Sequence, residues 1–361
     1  QIPKNDGFGQ ADFEIASQTL DNKFWIVAYL SDAGPVRYYL YDRDKKQAKF
    51  LFTNRKALEG LQLATMRPMT IKSRDGLDLV CYLTLPVGAQ KDHPLPMVLF
   101  VHGGPWGRDS WGYNPMHQWL ANRGYAVLSV NFRGSTGFGK AFVNAGNREW
   151  GGKMQDDLSD AVAYAINAKI ADPTKIAIMG GSYGGYAALA GMTFTPDTFA
   201  AGVDICGPSN INTLLQTIPP YWVPATMLWK TRVGDYSTPE GKLFLDSRSP
   251  LNKADQIKKP LLIGQGANDP RVKQAEADQI VKAMQAKNIP VTYIVYSDEG
   301  HGFVRPENRK SFFAVSEAFL AAHLGGRFEP VGKDFEGSTI EVRAGAEQVP
   351  GLDDALKSIA K

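Results

Sequence analysis

The feature that most constrains the fold is a strand, a sharp turn and a helix that follow one another within residues 175–189. Residues 176–179 are apolar and predict a buried strand, and a helix is expected to begin at Tyr183. Ser182 lies at the apex of the turn, in a Gly-x-Ser-x-Gly pattern. So abrupt a turn strains the backbone of its apex residue and leaves room only for small neighbours. The pattern predicts a serine hydroxyl held at the positive end of a helix, although a glycine-rich turn can also contain serine by chance.

A hydrolase built on such a turn carries its acid and then its histidine later in the chain, each just after a strand. The chain has five histidines, and only His301 and His323 follow Ser182. His301 comes shortly after residues 291–296, which predict a strand, whereas His323 falls in a predicted helix. The order of the elements therefore favours His301 as the partner of Ser182.

The acid is expected to be Asp269, which follows a predicted buried strand and precedes His301. Asp204 ends the strand after the serine helix and is the alternative acid. Asp298 and Glu299 are close to His301 in sequence, but a carboxylate rarely points at the ring of its own loop neighbour. Three polar residues at three strand ends, in this order, predict a nucleophilic triad.

Composition excludes several classes of function. At 361 residues and 43% hydrophobic, the chain can bury one large core and a smaller appendage. A net charge of +3 is too small to indicate nucleic acid or an anionic membrane, and no apolar run has membrane-spanning length. No cofactor or metal is expected. Cys81 and Cys206 are predicted to be buried, with one disulfide possible, so cytoplasmic and periplasmic or secreted locations both stay open.

Residues 1–64 differ from the rest of the chain in their sequence pattern. Short β-rich runs at 24–30, 36–41 and 48–52 are separated by strong turn signals and predict an antiparallel meander. One small sheet cannot bury both of its faces alone. It either packs on the remaining chain, pairs with a copy in a homo-oligomer, or continues a larger β structure upstream, and the last alternative is favoured below.

Residues 65–325 alternate strands with helices, which predicts a doubly wound, mostly parallel α/β sheet with right-handed crossovers. Residues 207–250 interrupt this alternation with a segment rich in Pro, Trp and Tyr. That segment is expected either to wall a substrate pocket or to pack its aromatic residues on themselves. Residues 326–361 form a C-terminal extension with one strand-like patch at 338–343.

Six segments together resemble the catalytic domain of the prolyl oligopeptidase family of serine peptidases, nearest its acylaminoacyl-peptidase-like branch. They are His-Gly-Gly-Pro at 102–105, Asn-Phe-Arg-Gly-Ser-Thr-Gly at 131–137, Trp-Gly-Gly at 150–152, Gly-Gly-Ser-Tyr-Gly-Gly at 180–185, Asp-Pro-Arg-Val at 269–272 and Glu-Gly-His-Gly-Phe at 299–303. The resemblance covers about residues 70–325. It implies an α/β-hydrolase fold, and it implies that the meander is the last blade of a β-propeller most of which is missing here.

The expected chemistry assigns a role to each site residue. Ser182 attacks a carbonyl carbon, His301 moves the proton, and Asp269 orients the imidazole. The oxyanion is expected to be held by the backbone N–H of Tyr183 and by that of Gly104 or Gly103. The resemblance implies that an arginine at the position of Arg271 binds a substrate carbonyl. An apolar pocket is expected to be lined by further residues, namely Val272, Tyr183, Tyr186, Trp106 and Phe303.

These inferences predict a serine hydrolase that cleaves short peptides, similar to acylaminoacyl or dipeptidyl peptidases. A carboxylesterase acting on small acyl esters is the alternative, because esters need less acid assistance to the leaving group than amides. A third alternative is a hydrolase-like binding module without activity. The substrate is therefore expected to be a small peptide or ester.

Overall fold

Two separate β-sheets organise the protein, for which a computed structural model describes residues 11–90 and 92–359. The smaller sheet is antiparallel, with four strands in chain order. They are β1 (Ala11–Gln18), β2 (Phe24–Ser31), β3 (Arg37–Asp42) and β4 (Gln47–Thr53). The three predicted strands of the meander are confirmed. Strand β1 was not predicted, because seven of its eight residues are exposed and leave no hydrophobic pattern.

The larger sheet has nine strands in the order β13-β12-β11-β10-β9-β7-β8-β6-β5. The six central strands β7 to β12 run parallel, with β5 and β6 antiparallel at one edge and β13 antiparallel at the other. The expected doubly wound α/β-hydrolase architecture is confirmed. The strands are β5 (Met66–Lys72), β6 (Asp78–Thr84), β7 (Leu95–Val101), β8 (Ala126–Val130), β9 (Ala171–Gly181), β10 (Ala201–Ile205), β11 (Leu261–Gly266), β12 (Val291–Tyr296) and β13 (Ile340–Ala344).

Helices cover both faces of this sheet and create two cores. Helices α3, α4 and α8 bury apolar residues on one face, and α1 and α9 bury them on the other. Strands covered on both faces read as continuous apolar runs, and β8, β11 and β12 are buried along their whole length. The helices are α1 (Pro115–Asn122), α2 (Lys140–Asn144), α3 (Lys153–Asn167), α4 (Tyr183–Phe194), α5 (Ile211–Gln216), α6 (Thr226–Arg232), α7 (Pro239–Ser247), α8 (Gln274–Gln285), α9 (Pro306–Leu324) and α10 (Leu352–Ile359).

The segment between β10 and β11 contains α5, α6 and α7 and packs its aromatic rings both on one another and on the loop after β7. The ring of Trp229 lies 5.1 Å from that of Trp222 and 5.2 Å from that of Trp106. The side chains of Tyr221 and Met227 are exposed. Both expected roles of this segment are thus compatible with its position beside the loop of Trp106.

The C-terminal residues contribute to the larger sheet. Strand β13 pairs with β12, and α10 buries Leu352 and Ala355 in the same core as α9. Within the described residues, none of the helices is both long and apolar enough to cross a membrane.

Candidate active site

Four loops with reactive side chains leave the same edge of the larger sheet. Ser182 follows β9, Cys206 follows β10, Asp269 follows β11 and His301 follows β12. These four strands are neighbours and parallel, so their carboxyl ends meet. The three residues of the predicted triad therefore lie at one edge, together with a cysteine that sequence reasoning placed in the core without a role.

The turn at Ser182 has the strained geometry expected from its sequence. The φ angle of Ser182 is 58°, in the left-handed region that non-glycine residues rarely adopt. Its N–H donates to the carbonyl of Ile205, 2.8 Å away, which ties the apex to the next strand. A Cβ atom on Gly184 would lie 2.1 Å from the carbonyl oxygen of Val101. Only glycine allows helix α4 to pass this close to the strand.

The imidazole of His301 is held by Asp269. His301 Nδ1 donates to Asp269 Oδ2 at 2.7 Å, while Asp269 Oδ1 accepts from the N–H groups of Arg271 at 2.8 Å and Val272 at 2.9 Å. The carboxylate is fully buried and the imidazole is 16% exposed. A proton on Nδ1 leaves Nε2 free to accept another. Among the described residues, no hydrogen bond joins the Ser182 hydroxyl to this ring.

The alternative acid, Asp204, has a different environment. Its side chain is fully buried, and Oδ1 accepts from the N–H of Gly207 at 2.7 Å. Burial raises its pKa well above the ordinary value. In the described part of the chain, Asp204 makes no hydrogen bond to His301. The geometry thus favours Asp269 as the partner of the imidazole.

The loop that carries His301 is clamped by Glu299, a contact that sequence reasoning missed. Glu299 is 2% exposed and accepts hydrogen bonds from the N–H groups of Val304 and Arg305 at 2.9 and 2.8 Å. The Asn308 side chain donates to it as well, at 2.9 Å. A buried carboxylate with three donors fixes both ends of a short loop. Asp298 instead contacts Arg305 and Asn308.

Two backbone segments border the position of an oxyanion. Tyr183 is the first residue of α4, and an N–H there has no intrahelical acceptor. The loop after β7 lies against the same turn, because a Cβ on Gly103 would be 3.4 Å from Ser182 Cβ. Gly104 has a φ of 131°, which favours glycine.

His102 fixes the loop after β7. Its Nδ1 donates to the carbonyl of Gly103 at 2.8 Å, and its Nε2 accepts from the Ser135 hydroxyl at 2.9 Å. The ring also stacks on Phe132, with 4.5 Å between ring centroids. Burial lowers the pKa of His102 to about 4, so the ring stays neutral. These contacts hold the loop in place.

The predicted pocket residues divide into two groups. Arg271 is exposed and, among the described residues, its guanidinium makes no ion pair, while Trp106 is half-buried. Tyr186 is fully buried and donates to the carbonyl of Arg248, and Val272 is 3% exposed. Their positions in the core correct the prediction that Tyr186 and Val272 line a pocket.

The rings of Tyr183 and Phe303, which were also predicted to line the pocket, pack against other aromatic rings. The Tyr183 side chain is 2% exposed and packs on Trp150 and Phe132, so only its backbone faces the site. The ring of Phe303 lies 4.7 Å from those of Tyr296 and Phe312, beneath the histidine loop.

Cys206 is 3% exposed and adopts a left-handed φ of 47°. Its sulfur lies within 4.8 Å of a ligand atom of Asp269 and of His301. Burial raises the pKa of this thiol well above its ordinary value. Cys81 is buried too, and both cysteines are free.

Comparisons with known proteins agree with the architecture and with the six sequence segments. The model of the prolyl oligopeptidase family matches residues 111–327. Dipeptidyl aminopeptidase BIII of Pseudoxanthomonas mexicana is 61% identical over 99% of this chain and 52% of its own length. Dipeptidyl peptidase family member 6 of Caenorhabditis elegans is 47% identical over 88% of this chain and 46% of its own length.

A solved structure of a Mycobacterium tuberculosis puromycin-hydrolyzing peptidase superposes with a TM-score of 0.76 at 28% identity. The match covers 86% of this chain and 47% of that one. The chain thus spans about half the length of the relatives that it matches.

Proposed function

The chain belongs to the prolyl oligopeptidase family of serine peptidases, and from this premise we propose that it carries the hydrolytic centre of an enzyme that releases dipeptides from short peptides. One observation carries the proposal: Asp269 and His301 are hydrogen-bonded at 2.7 Å on the sheet edge where Ser182 is presented. Similarity to dipeptidyl aminopeptidase BIII and to dipeptidyl peptidase family member 6, at 61% and 47% identity, supports dipeptide release.

In the proposed reaction, Ser182 Oγ attacks the scissile carbonyl carbon and its proton passes to His301 Nε2. The hydrogen bond between them forms as the substrate binds, since such bonds are often long before then. Asp269 stabilises the imidazolium through Nδ1. When the C–N bond breaks, His301 delivers the proton to the leaving amine. Water then repeats the sequence on the acyl-enzyme and releases the product acid.

We propose that the oxyanion is held by the N–H of Tyr183 and by an N–H of the loop after β7, at Gly104 or Gly103. The helix terminus and the rigid loop supply these donors without reorganisation during the reaction. Removing one such donor typically costs about 3 kcal/mol of transition-state stabilisation.

Arg271 is proposed to bind a substrate carbonyl upstream of the scissile bond. Its backbone N–H anchors the catalytic carboxylate, while its exposed guanidinium has no ion-pair partner within the described residues. A guanidinium placed beside the acid in this way can present two donors to a peptide. Trp106 is proposed to form an apolar wall on the side of the oxyanion loop.

The substrate class is tested with three compounds that share one dipeptide: its p-nitroanilide with a free amino terminus, the N-acetylated anilide and a p-nitrophenyl ester. We expect the purified protein to hydrolyse the free-amine anilide with a higher kcat/KM than the N-acetylated anilide. Preference for the acetylated anilide would replace the proposal with an acylaminoacyl peptidase. Hydrolysis of the ester alone would indicate a carboxylesterase.

For the four-stranded sheet, we propose that its exposed side packs against further β structure of a longer chain, a second copy of this chain being the alternative. Phe13 and Phe50 lie on the same face of this sheet, and each is at least half exposed. The relatives are about twice as long as this chain, which supports the first partner. Sedimentation of the 361-residue chain discriminates between them: a stable dimer in which Phe50→Ser causes dissociation would favour the second copy.

A further inference from the structure

The site contains a set of metal-ligand types that hydrolysis does not use. Cys206, Asp269 and His301 each bring one ligand atom into a cluster in which all these atoms lie within 4.8 Å of one another. The set combines a thiol sulfur, a carboxylate oxygen and an imidazole nitrogen. These are the three ligand types that zinc uses in proteins, and a thiol favours soft or borderline cations over Mg²⁺ or Ca²⁺.

The backbone, rather than a mobile surface loop, brings these groups together. Cys206 is held between two parallel strands, because Ile205 pairs with Gly181 on one side and with Gly264 on the other. The Cys206 N–H donates to the carbonyl of Gly264 at 2.8 Å. A left-handed backbone conformation at Cys206 accompanies this placement. The sulfur is therefore fixed beside the Asp269–His301 pair.

We propose that Cys206, Asp269 and His301 form a binding site for a divalent cation of the Zn²⁺ or Cd²⁺ class, and that its occupation inhibits hydrolysis. Two ligand atoms on one zinc ion lie about 3.5 Å apart, so any pair of ligand atoms near the 4.8 Å limit has to approach by about 1 Å on binding. The exposed edge of the imidazole is the route of entry, since the other two groups are buried.

The charges balance in the bound state. The cation displaces the thiol proton, which leaves to solvent, and binds a thiolate, a carboxylate and a neutral imidazole. Two negative ligands neutralise the two positive charges, so the cluster carries no net charge. This matters in a site where Asp269 and Cys206 are almost without solvent contact, because an uncompensated buried charge is costly.

The inhibitory part rests on the proposed function, and it follows from imidazole chemistry. A cation on Nε2 occupies the lone pair that accepts the Ser182 proton. A cation on Nδ1 forces the ring proton onto Nε2 and separates the ring from Asp269. In both cases His301 can no longer act as a general base.

The test titrates the purified protein with CdCl₂ and follows the ultraviolet charge-transfer band of a cadmium–thiolate bond. Cys206→Ala removes the proposed sulfur ligand, and Cys81→Ala is the matched control, because Cys81 is equally buried on a different strand. In parallel, hydrolysis of the dipeptidyl anilide is measured against Zn²⁺, with each variant's own metal-free rate as the reference and a chelator to restore it.

We expect the band in the wild type and in Cys81→Ala, and its loss in Cys206→Ala, with the inhibitory Zn²⁺ concentration raised about tenfold or more. A band of equal size in Cys206→Ala, or none in the wild type, would overturn the proposal. Equal inhibition of both cysteine variants would contradict it as well. If no protein hydrolyses the anilide, the proposed function fails while the cadmium titration still decides the metal site.

Discussion

The two sheets of this protein differ in how far their side chains are buried. In the nine-stranded sheet, helices cover both faces, and Leu99, Leu261 and Leu262 have no exposed surface. In the four-stranded sheet, the outer strands β1 and β4 are largely exposed, and Phe13 retains 69% exposure. The first region contains its own core and the candidate site. The second needs another surface to cover it.

This difference shows that the candidate site lies on the sheet whose residues are most rigidly held. A serine turn with left-handed φ, a cysteine with left-handed φ and a clamped histidine loop all lie at the edge of the covered sheet. Strained positions persist only where their surroundings over-determine them. The larger sheet provides such surroundings at this edge.

The largest effect is expected when the Asp269 carboxylate, which orients the His301 imidazole at the edge of the larger sheet, is removed. Asp269→Asn is expected to lower kcat by about 10⁴-fold, because the amide no longer accepts from Nδ1 and the ring adopts the wrong tautomer. Circular dichroism is expected to show an intact fold. Asp204→Asn is the matched control, since Asp204 makes no bond to His301 among the described residues. Near-normal turnover of Asp269→Asn with a collapse in Asp204→Asn would transfer the role of the acid.

A second prediction compares the two regions by stability. Leu99→Ala in β7 is expected to reduce the free energy of unfolding by about 3 kcal/mol, through lost burial and a residual cavity. Phe13→Ala in β1 is expected to change it by no more than about 0.5 kcal/mol, because the ring is mostly in solvent. Both values come from chemical denaturation. Equal losses would show that Phe13 is covered in solution.

The secondary structure of the nine-stranded sheet and its helices was easier to predict from the sequence than that of the four-stranded sheet. Strand β12 matched its predicted limits and His323 lies in a helix, α9, as predicted, because covered elements have clear periodicity. Strand β1 was missed, because exposed residues are free to be polar or apolar.

Within the site, chain order was sufficient to predict Ser182 and His301, whereas the preference for Asp269 over Asp204 came chiefly from the family resemblance. The position of Cys206 beside Asp269 and His301 was missed, because it depends on the register of β10 between β9 and β11, which cannot be read from one sequence. Tyr186 was placed wrongly because helix α4, after leaving the turn, directs that side chain into the core.

A third, smaller effect concerns how the free energy of unfolding depends on pH, and the direction of this dependence differs between the two sheets. Burial raises the pKa of Asp109, in the loop after β7, to about 7, so the folded state holds a proton that the unfolded state has lost. Stability from this group is therefore present at low pH and is lost as pH rises through about 7. Asp109→Asn is expected to flatten the decline between pH 5 and 8 by about 2 kcal/mol.

In the four-stranded sheet, a hydrogen bond from the N–H of Lys45 lowers the pKa of Asp42. Stability from this group is present above the ordinary carboxyl pKa and is lost as pH falls through the lowered value. Thermal unfolding of Asp42→Asn across acidic pH measures it. A steeper decline at alkaline pH in this variant would contradict the assignment.

The central claim is that Ser182 is an activated nucleophile. Its most direct test is to treat the purified protein with a fluorophosphonate and map the adduct by mass spectrometry. The account predicts one adduct per chain, on Ser182, formed much more slowly in His301→Ala. A folded protein that stays unlabelled, or carries the adduct on another residue, would contradict it.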